Sequence, residues 1–162
     1  MKELYLIRHA KSDRAHSGAE DFQRPLNAKG KRDALRMGKF LAERPGKPVR
    51  IYSSPAARAK ETAEAIAHEI GFDARKIIYE DKFYAASMTS LLEQIRRFPD
   101  GSPDEIIYLT GHNPALTELA NYFVPDAIDN IPTCAIFAVG FSMAAWKEAT
   151  SGKGEIIFYK SP

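Results

Sequence analysis

The chain has 162 residues, 44% hydrophobic and 27% charged, proportions that exclude a disordered or fibrous polypeptide and suffice for one buried core. Its net charge of +2 comes from 23 basic and 21 acidic residues that largely interleave, and the densest basic run, Lys29-Gly-Lys-Arg32, is followed at once by Asp33, unlike the basic stripe of a nucleic-acid binder. The single cysteine, Cys134, excludes an internal disulfide and offers no paired metal spacing.

The first apolar run, Leu4 to Ile7, suits a strand covered on both faces; Arg8 and His9 end it too early for a signal peptide. The segment from Lys11 to Leu26 is polar, irregular and long for a connection, a length more often functional than decorative. Asn27 is placed to cap a helix over Ala28–Glu43, with Ala34, Leu35, Gly38, Leu41 and Ala42 on one side. A second strand is expected at Val49–Ser53. It is followed by Ser54 as cap, Pro55 as first helical residue, and a helix to Ile70 closed by Gly71. A third strand is expected at Lys76–Glu80, and Ser90 with Glu93 has capping-box spacing ahead of Leu91, Leu92 and Ile95. Glu105–Thr110 reads as a buried strand. Gly111-His112-Asn113-Pro114 then turns into a helix carrying Leu116, Leu119, Ala120 and Phe123. Ala135–Val139 and Glu155–Tyr159 read as two edge strands joined through Trp146 and a Ser-Gly-Lys-Gly turn. The most apolar stretch, CAIFAVGFSMAAW, is shorter than the roughly 20 residues of a membrane span. The expectation is one cytoplasmic α/β domain over residues 1–162, a three-layer αβα sandwich with a mainly parallel central sheet and an antiparallel edge, with neither membrane nor nucleic acid as partner.

Three strand-to-helix junctions carry the chemistry. In an open parallel sheet the carboxyl ends of the strands share one rim, so Arg8-His9, Ser54-Pro-Ala-Ala-Arg58 and His112-Asn113-Pro114 are expected around one crevice. Two arginines at one rim repel each other unless an anion lies between them, and their planar forks suit phosphate. Helix starts at Ser54 and Asn113 would add backbone donors. Neighbouring guanidinium charges would keep His9 neutral and nucleophilic, while His112 could donate to a phosphoryl oxygen.

Arg8-His9-Ala10, Ser54-Pro-Ala-Ala-Arg-Ala-Lys-Glu-Thr62 and Gly111-His-Asn-Pro114, in that order, resemble the three signatures of the histidine phosphatase superfamily, the phosphoglycerate mutase-like fold. The compact length, Arg24-Pro25-Leu26 with Gly30, and Thr133-Cys-Ala-Ile136 resemble its SixA-type phosphohistidine phosphatase branch. The resemblance implies a phosphohistidine intermediate on His9, phosphoryl binding by Arg8, Arg58 and His112, and hydrolysis by water without metal or organic cofactor. It also implies that Thr133 lines the pocket, whereas Arg24 reads equally as an extension of the phosphate mouth or as a plain loop cation. Family members usually carry glycine after the Arg-His pair; here it is Ala10.

Many relatives protonate an alkoxide leaving group with a carboxylate near the third strand, and Glu80 and Asp81 are the two candidates for that general acid. Without such an acid a phosphohistidine is the better substrate, because an alcohol needs the proton more than an imidazole does. The resemblance to the SixA-type branch implies a phosphorylated protein as partner, with a small phosphorylated metabolite as the alternative. A non-catalytic phosphate- or phosphoprotein-binding module stands as a rival of another class. His16 and His68 lack metal-ligand spacing with His9 or His112, His68 reads as solvated, and Cys134 reads as a packed small residue.

Overall fold

The computed structural model describes residues 1–13 and 20–162, so the reading of His16 lies outside the described residues. Six strands form one sheet in the order β3-β2-β4-β1-β5-β6. They are β1 (Lys2–Arg8), β2 (Arg50–Ser53), β3 (Ile78–Tyr79), β4 (Glu105–Gly111), β5 (Ile136–Phe141) and β6 (Gly154–Lys160). The helices are α1 (Ala28–Glu43), α2 (Ala57–Ile70), α3 (Met88–Arg96) and α4 (Ala115–Phe123). β3, β2, β4 and β1 are mutually parallel, while β5 runs antiparallel to both β1 and β6.

Alternation along β1 sets the layers. Leu4 and Leu6 enter a core with α3 and α4, whereas Tyr5 and Ile7 enter a second core with α1 and α2. A strand buried on both faces therefore lies between two helical layers, the expected αβα arrangement. Among the described residues no helix is long and apolar enough to cross a membrane.

Several local expectations need correcting. Leu35 is 41% exposed, and Met37 and Asp33 join the buried side of α1 instead. α2 begins at Ala57, not at Pro55, because the Ser54 hydroxyl serves a turn, accepting from the Ala56 amide at 3.2 Å. The cap of α3 is Ser87, whose oxygen accepts from the Ser90 amide at 3.1 Å; Ser90 is already inside the helix. The third strand shrinks to two residues because Asp73 caps a 3-10 turn over Ala74–Lys76. Val49 is exposed and precedes β2, and β5 is interior to the sheet, so β6 alone forms that edge.

Candidate active site

Strand register builds the rim. Arg8 pairs with Gly111 across β1 and β4, and Ser53 pairs with Thr110 across β2 and β4. The next residues, His9, His112 and Ser54, therefore leave the sheet side by side. The His9 amide donates to the Gly111 carbonyl at 3.1 Å and the Ser54 amide to the Thr110 carbonyl at 3.0 Å, carrying the ladder one step past the strand ends.

The backbone after His9 is held from three directions. The Ala10 amide donates to Thr62 Oγ1 at 2.9 Å, and that hydroxyl donates to the Arg58 carbonyl at 2.7 Å, tying β1 to the first turn of α2. The Asn27 amide donates to the Lys11 carbonyl at 3.0 Å. Lys11 passes so close to α1 that a Cβ at Gly30 would lie 2.1 Å from its carbonyl oxygen, which explains the glycine in that helix. Ala10 is fully buried and has no positive φ, so this backbone does not require glycine there. Cys134 instead takes the left-handed conformation, φ 61°, and its amide donates to the carbonyls of Arg8 and His9, both at 3.1 Å.

His9 is 9% exposed. Its Nδ1 lies 2.8 Å from the Ala10 carbonyl, an atom that only accepts, so Nδ1 carries the proton and Nε2 keeps a bare lone pair. Burial first, and then the charges of Arg58, Arg8 and Arg24, push its pKa down to about 4. Desolvation thus outranks the guanidinium charges anticipated from the motif. His112, whose ring centre is 5.2 Å from that of His9, is pushed down to about 3, again by burial first and then by His9 and Arg58. Its Nε2 is 2.8 Å from Ser54 Oγ, and its buried Nδ1 has no partner among the described residues.

Arg58 is 6% exposed on the first turn of α2. Its Nη1 donates to the Asp21 carbonyl at 2.7 Å and its Nη2 to Asp21 Oδ2 at 3.0 Å, while its buried Nε has no partner among the described residues. Arg24 Nη2 donates to Asp21 Oδ1 at 2.8 Å, its Nη1 to Ser12 Oγ at 3.0 Å, and Tyr84 Oη to Asp21 Oδ2 at 2.6 Å. The Tyr84 bond above all, with those from Arg24 and Arg58, holds the Asp21 carboxyl far below the usual carboxylate range. Arg8 Nη1 donates to the Ile131 carbonyl at 3.0 Å, which also accepts from Asn113 Nδ2 at 2.9 Å.

A cavity of about 270 Å³ opens here, lined by Arg8, His9, Lys11, Ser12, Asp13, Arg24 and Thr133. Arg58 and His112 do not line it; the first is engaged by Asp21, the second by Ser54 and the edge of the Tyr84 ring. Glu80 and Asp81 are also absent from its lining; Glu80 follows β3 with its amide on the Ser53 carbonyl at 3.2 Å, and Asp81 is exposed at the start of a 3-10 turn. Cys134 is fully buried, and burial pushes its thiol up to about 12, too high for a nucleophile. His68 is solvated on α2, and among the described residues no three His, Cys, Asp or Glu side chains form a metal-binding group. Asp21, Tyr84, the Ser54–His112 hydrogen bond and the Cys134 amide escape the sequence reading. Only the caps and turns around them have local signatures, because their partners lie far away in the chain.

The model of the histidine phosphatase superfamily (branch 1) matches residues 4–120. The chain belongs to that superfamily. An uncharacterized protein of Picosynechococcus is 33% identical to this chain over 120 residues, 73% of this chain and 70% of its own length. An uncharacterized chloroplastic protein of Arabidopsis thaliana is 28% identical, over 94% of this chain and 72% of its own. Among solved structures, a protein assigned as the phosphohistidine phosphatase SixA of Agrobacterium tumefaciens superposes with a TM-score of 0.81 at 26% identity, covering 99% of this chain and 97% of its own.

Proposed function

We propose that this chain is a phosphatase that works through a covalent phosphohistidine on His9, and that its substrate is a phosphohistidine on a protein. The observation that carries the reading is the state of His9: neutral, with Nδ1 committed to the Ala10 carbonyl and Nε2 bare amid the arginine charges of Arg8, Arg24 and Arg58. The Nε2 lone pair attacks phosphorus while the bond to the leaving group breaks and its electrons depart with that group. Water then attacks phosphorus, the P–Nε2 bond breaks, and phosphate leaves with His9 neutral again. If the Ser54 hydroxyl donates to His112 Nε2, the imidazole proton sits on Nδ1, an unsatisfied buried donor suited to a phosphoryl oxygen. A donor of this kind is worth about 3–4 kcal/mol in the transition state. The Arg8 guanidinium and the charge of Arg58, whose terminal nitrogens are held by Asp21, offset the charge of the remaining oxygens.

Leaving-group chemistry supports the substrate class. The Asp21 carboxyl beside the arginines is held ionised and has no proton to give, and Glu80 and Asp81 stand off the cavity. An imidazole departs without a strong acid far more readily than an alkoxide. The SixA assignment of the Agrobacterium protein agrees with this reading. The cations Lys11 and Arg24 in the cavity lining favour a second reading, a small phosphomonoester carrying a further acidic group.

The two are separated by comparing turnover of a phosphohistidine peptide and an alkyl phosphate by the wild type, Glu80→Gln, Asp81→Asn and His9→Ala. Preferred turnover of the peptide, intact in both carboxylate variants and lost in His9→Ala, is expected. Equal turnover of both substrates with a large loss in either carboxylate variant contradicts the phosphohistidine reading. Activity surviving in His9→Ala contradicts the covalent mechanism.

A further inference from the structure

We infer that Asp21 is the positioning residue of this site: it grips Arg58 by both terminal nitrogens and gathers Arg24 and Tyr84 on the same carboxylate, aiming the guanidinium at a phosphoryl group beside His9. The inference rests on the phosphatase reading and extends it to a residue outside the three strand-end segments.

Asp21 opens a 3-10 turn, Asp21–Gln23, that buries none of its residues, so packing does not account for it. Polar contacts do. Four hydrogen bonds from side-chain donors converge on this one residue, two from Arg58 and one each from Arg24 and Tyr84. Two of these donors continue into the site. Arg24 also donates to Ser12 in the cavity lining, and the Tyr84 ring packs its edge against His112 at 5.8 Å. Asp21 is therefore the joint through which α2, the loop after β1 and the ring of His112 are held in register.

Arg8, Arg24 and Arg58 all act on His9, and three cations so placed repel one another. One ionised carboxylate, 53% exposed, offsets that repulsion from the solvent side, where its own charge is well screened from the cavity. A guanidinium has five N–H donors. Asp21 takes two of those on Arg58, and the Nε–H stays buried without a partner, like Nδ1 of His112. Two unsatisfied buried nitrogens in one site call for an anion, and Asp21 fixes the orientation of one of them without using it.

The test is calorimetric binding of inorganic phosphate, with kcat and KM on an aryl phosphate, for the wild type, Asp21→Ala, Asp21→Asn, Arg58→Ala and the Asp21→Ala/Arg58→Ala double variant. Asp21→Ala is expected to lower phosphate affinity and kcat/KM by about tenfold or more. Its thermal midpoint should fall only modestly, because the turn buries nothing and the buried Arg58, though it loses its carboxylate partner, keeps the main-chain carbonyl of residue 21. Asp21→Asn, which keeps an acceptor oxygen and the main-chain carbonyl, should recover much of the loss. In the Arg58→Ala background the Asp21 change should have a much smaller effect than in the wild type, the remainder passing through Arg24 and Tyr84. Unchanged or tighter phosphate binding in Asp21→Ala, or an undiminished Asp21 effect without Arg58, overturns the inference. The phosphatase reading fails separately, if His9→Ala hydrolyses the aryl phosphate as well as the wild type does.

Discussion

An imidazole attacks phosphorus only with one nitrogen bare and the ring unprotonated, and two features secure both conditions for His9. The Ala10 carbonyl selects the tautomer, and burial reinforced by three guanidinium charges keeps the ring neutral. The proton NMR titration of His9 in the free protein should accordingly show a midpoint near 4; a midpoint at or above the ordinary value of about 6.5 contradicts this electrostatic account. The sign for stability follows. The unfolded chain protonates below about 6.5 while folded His9 resists until about 4, so this contribution is intact above 6.5 and is lost as pH falls through that window. His9, Arg8, Arg58 and His112 could be read from the chain because each lies in a short strand-end motif. Asp21 could not: its partners Arg58 and Tyr84 are 37 and 63 residues away, and an aspartate ahead of a polar loop has no pattern of its own.

At the scale of elements, the loop carrying the site is set by how closely α1 approaches it. A glycine inside a helix ordinarily costs about 1 kcal/mol relative to alanine. At Gly30 the sign should reverse, because an added methyl meets the Lys11 main chain, which has no flexible end to swing away. Gly30→Ala should destabilise the fold by about 1–3 kcal/mol in urea unfolding and lower kcat/KM through displacement of the His9 loop. A stabilised, fully active variant would remove the reason given for that glycine. Apolar periodicity placed all four helices and most strands, and their ends were harder for a physical reason. Ser54 and Ser87 are both serines ahead of a helix, yet one hydroxyl turns to His112 and the other to its own helix. The two-residue β3 and the interior position of β5 depend on sheet pairing, which no local pattern carries.

Over the whole molecule, the two ends of the sheet do different work. At the end opposite the site, Lys2 is fully buried, with Nζ 2.7 Å from Glu105 Oε1; Trp146 Nε1 donates to the same oxygen at 2.5 Å and Arg50 lies 3.3 Å from the other. Burial alone would raise the Glu105 carboxyl, but these donors hold it below its ordinary value. Glu105→Ala leaves the buried Lys2 ammonium with the half-exposed Asp100 carboxylate at 3.6 Å and the Ser102 carbonyl at 3.4 Å, and should cost about 3–5 kcal/mol of unfolding free energy, with kcat/KM unchanged below the melting range. A loss under about 1 kcal/mol would reduce the cluster to the level of a surface pair. At the other end, strand register delivers His9, Ser54 and His112 together, where we propose that His9 becomes covalently phosphorylated. Rapid quenching during turnover, with mass-spectrometric mapping of the phosphorylated residue, should find an acid-labile, base-stable phosphoryl group on His9; turnover with no phosphorylated His9, or with the label on another residue, would rule out the covalent route.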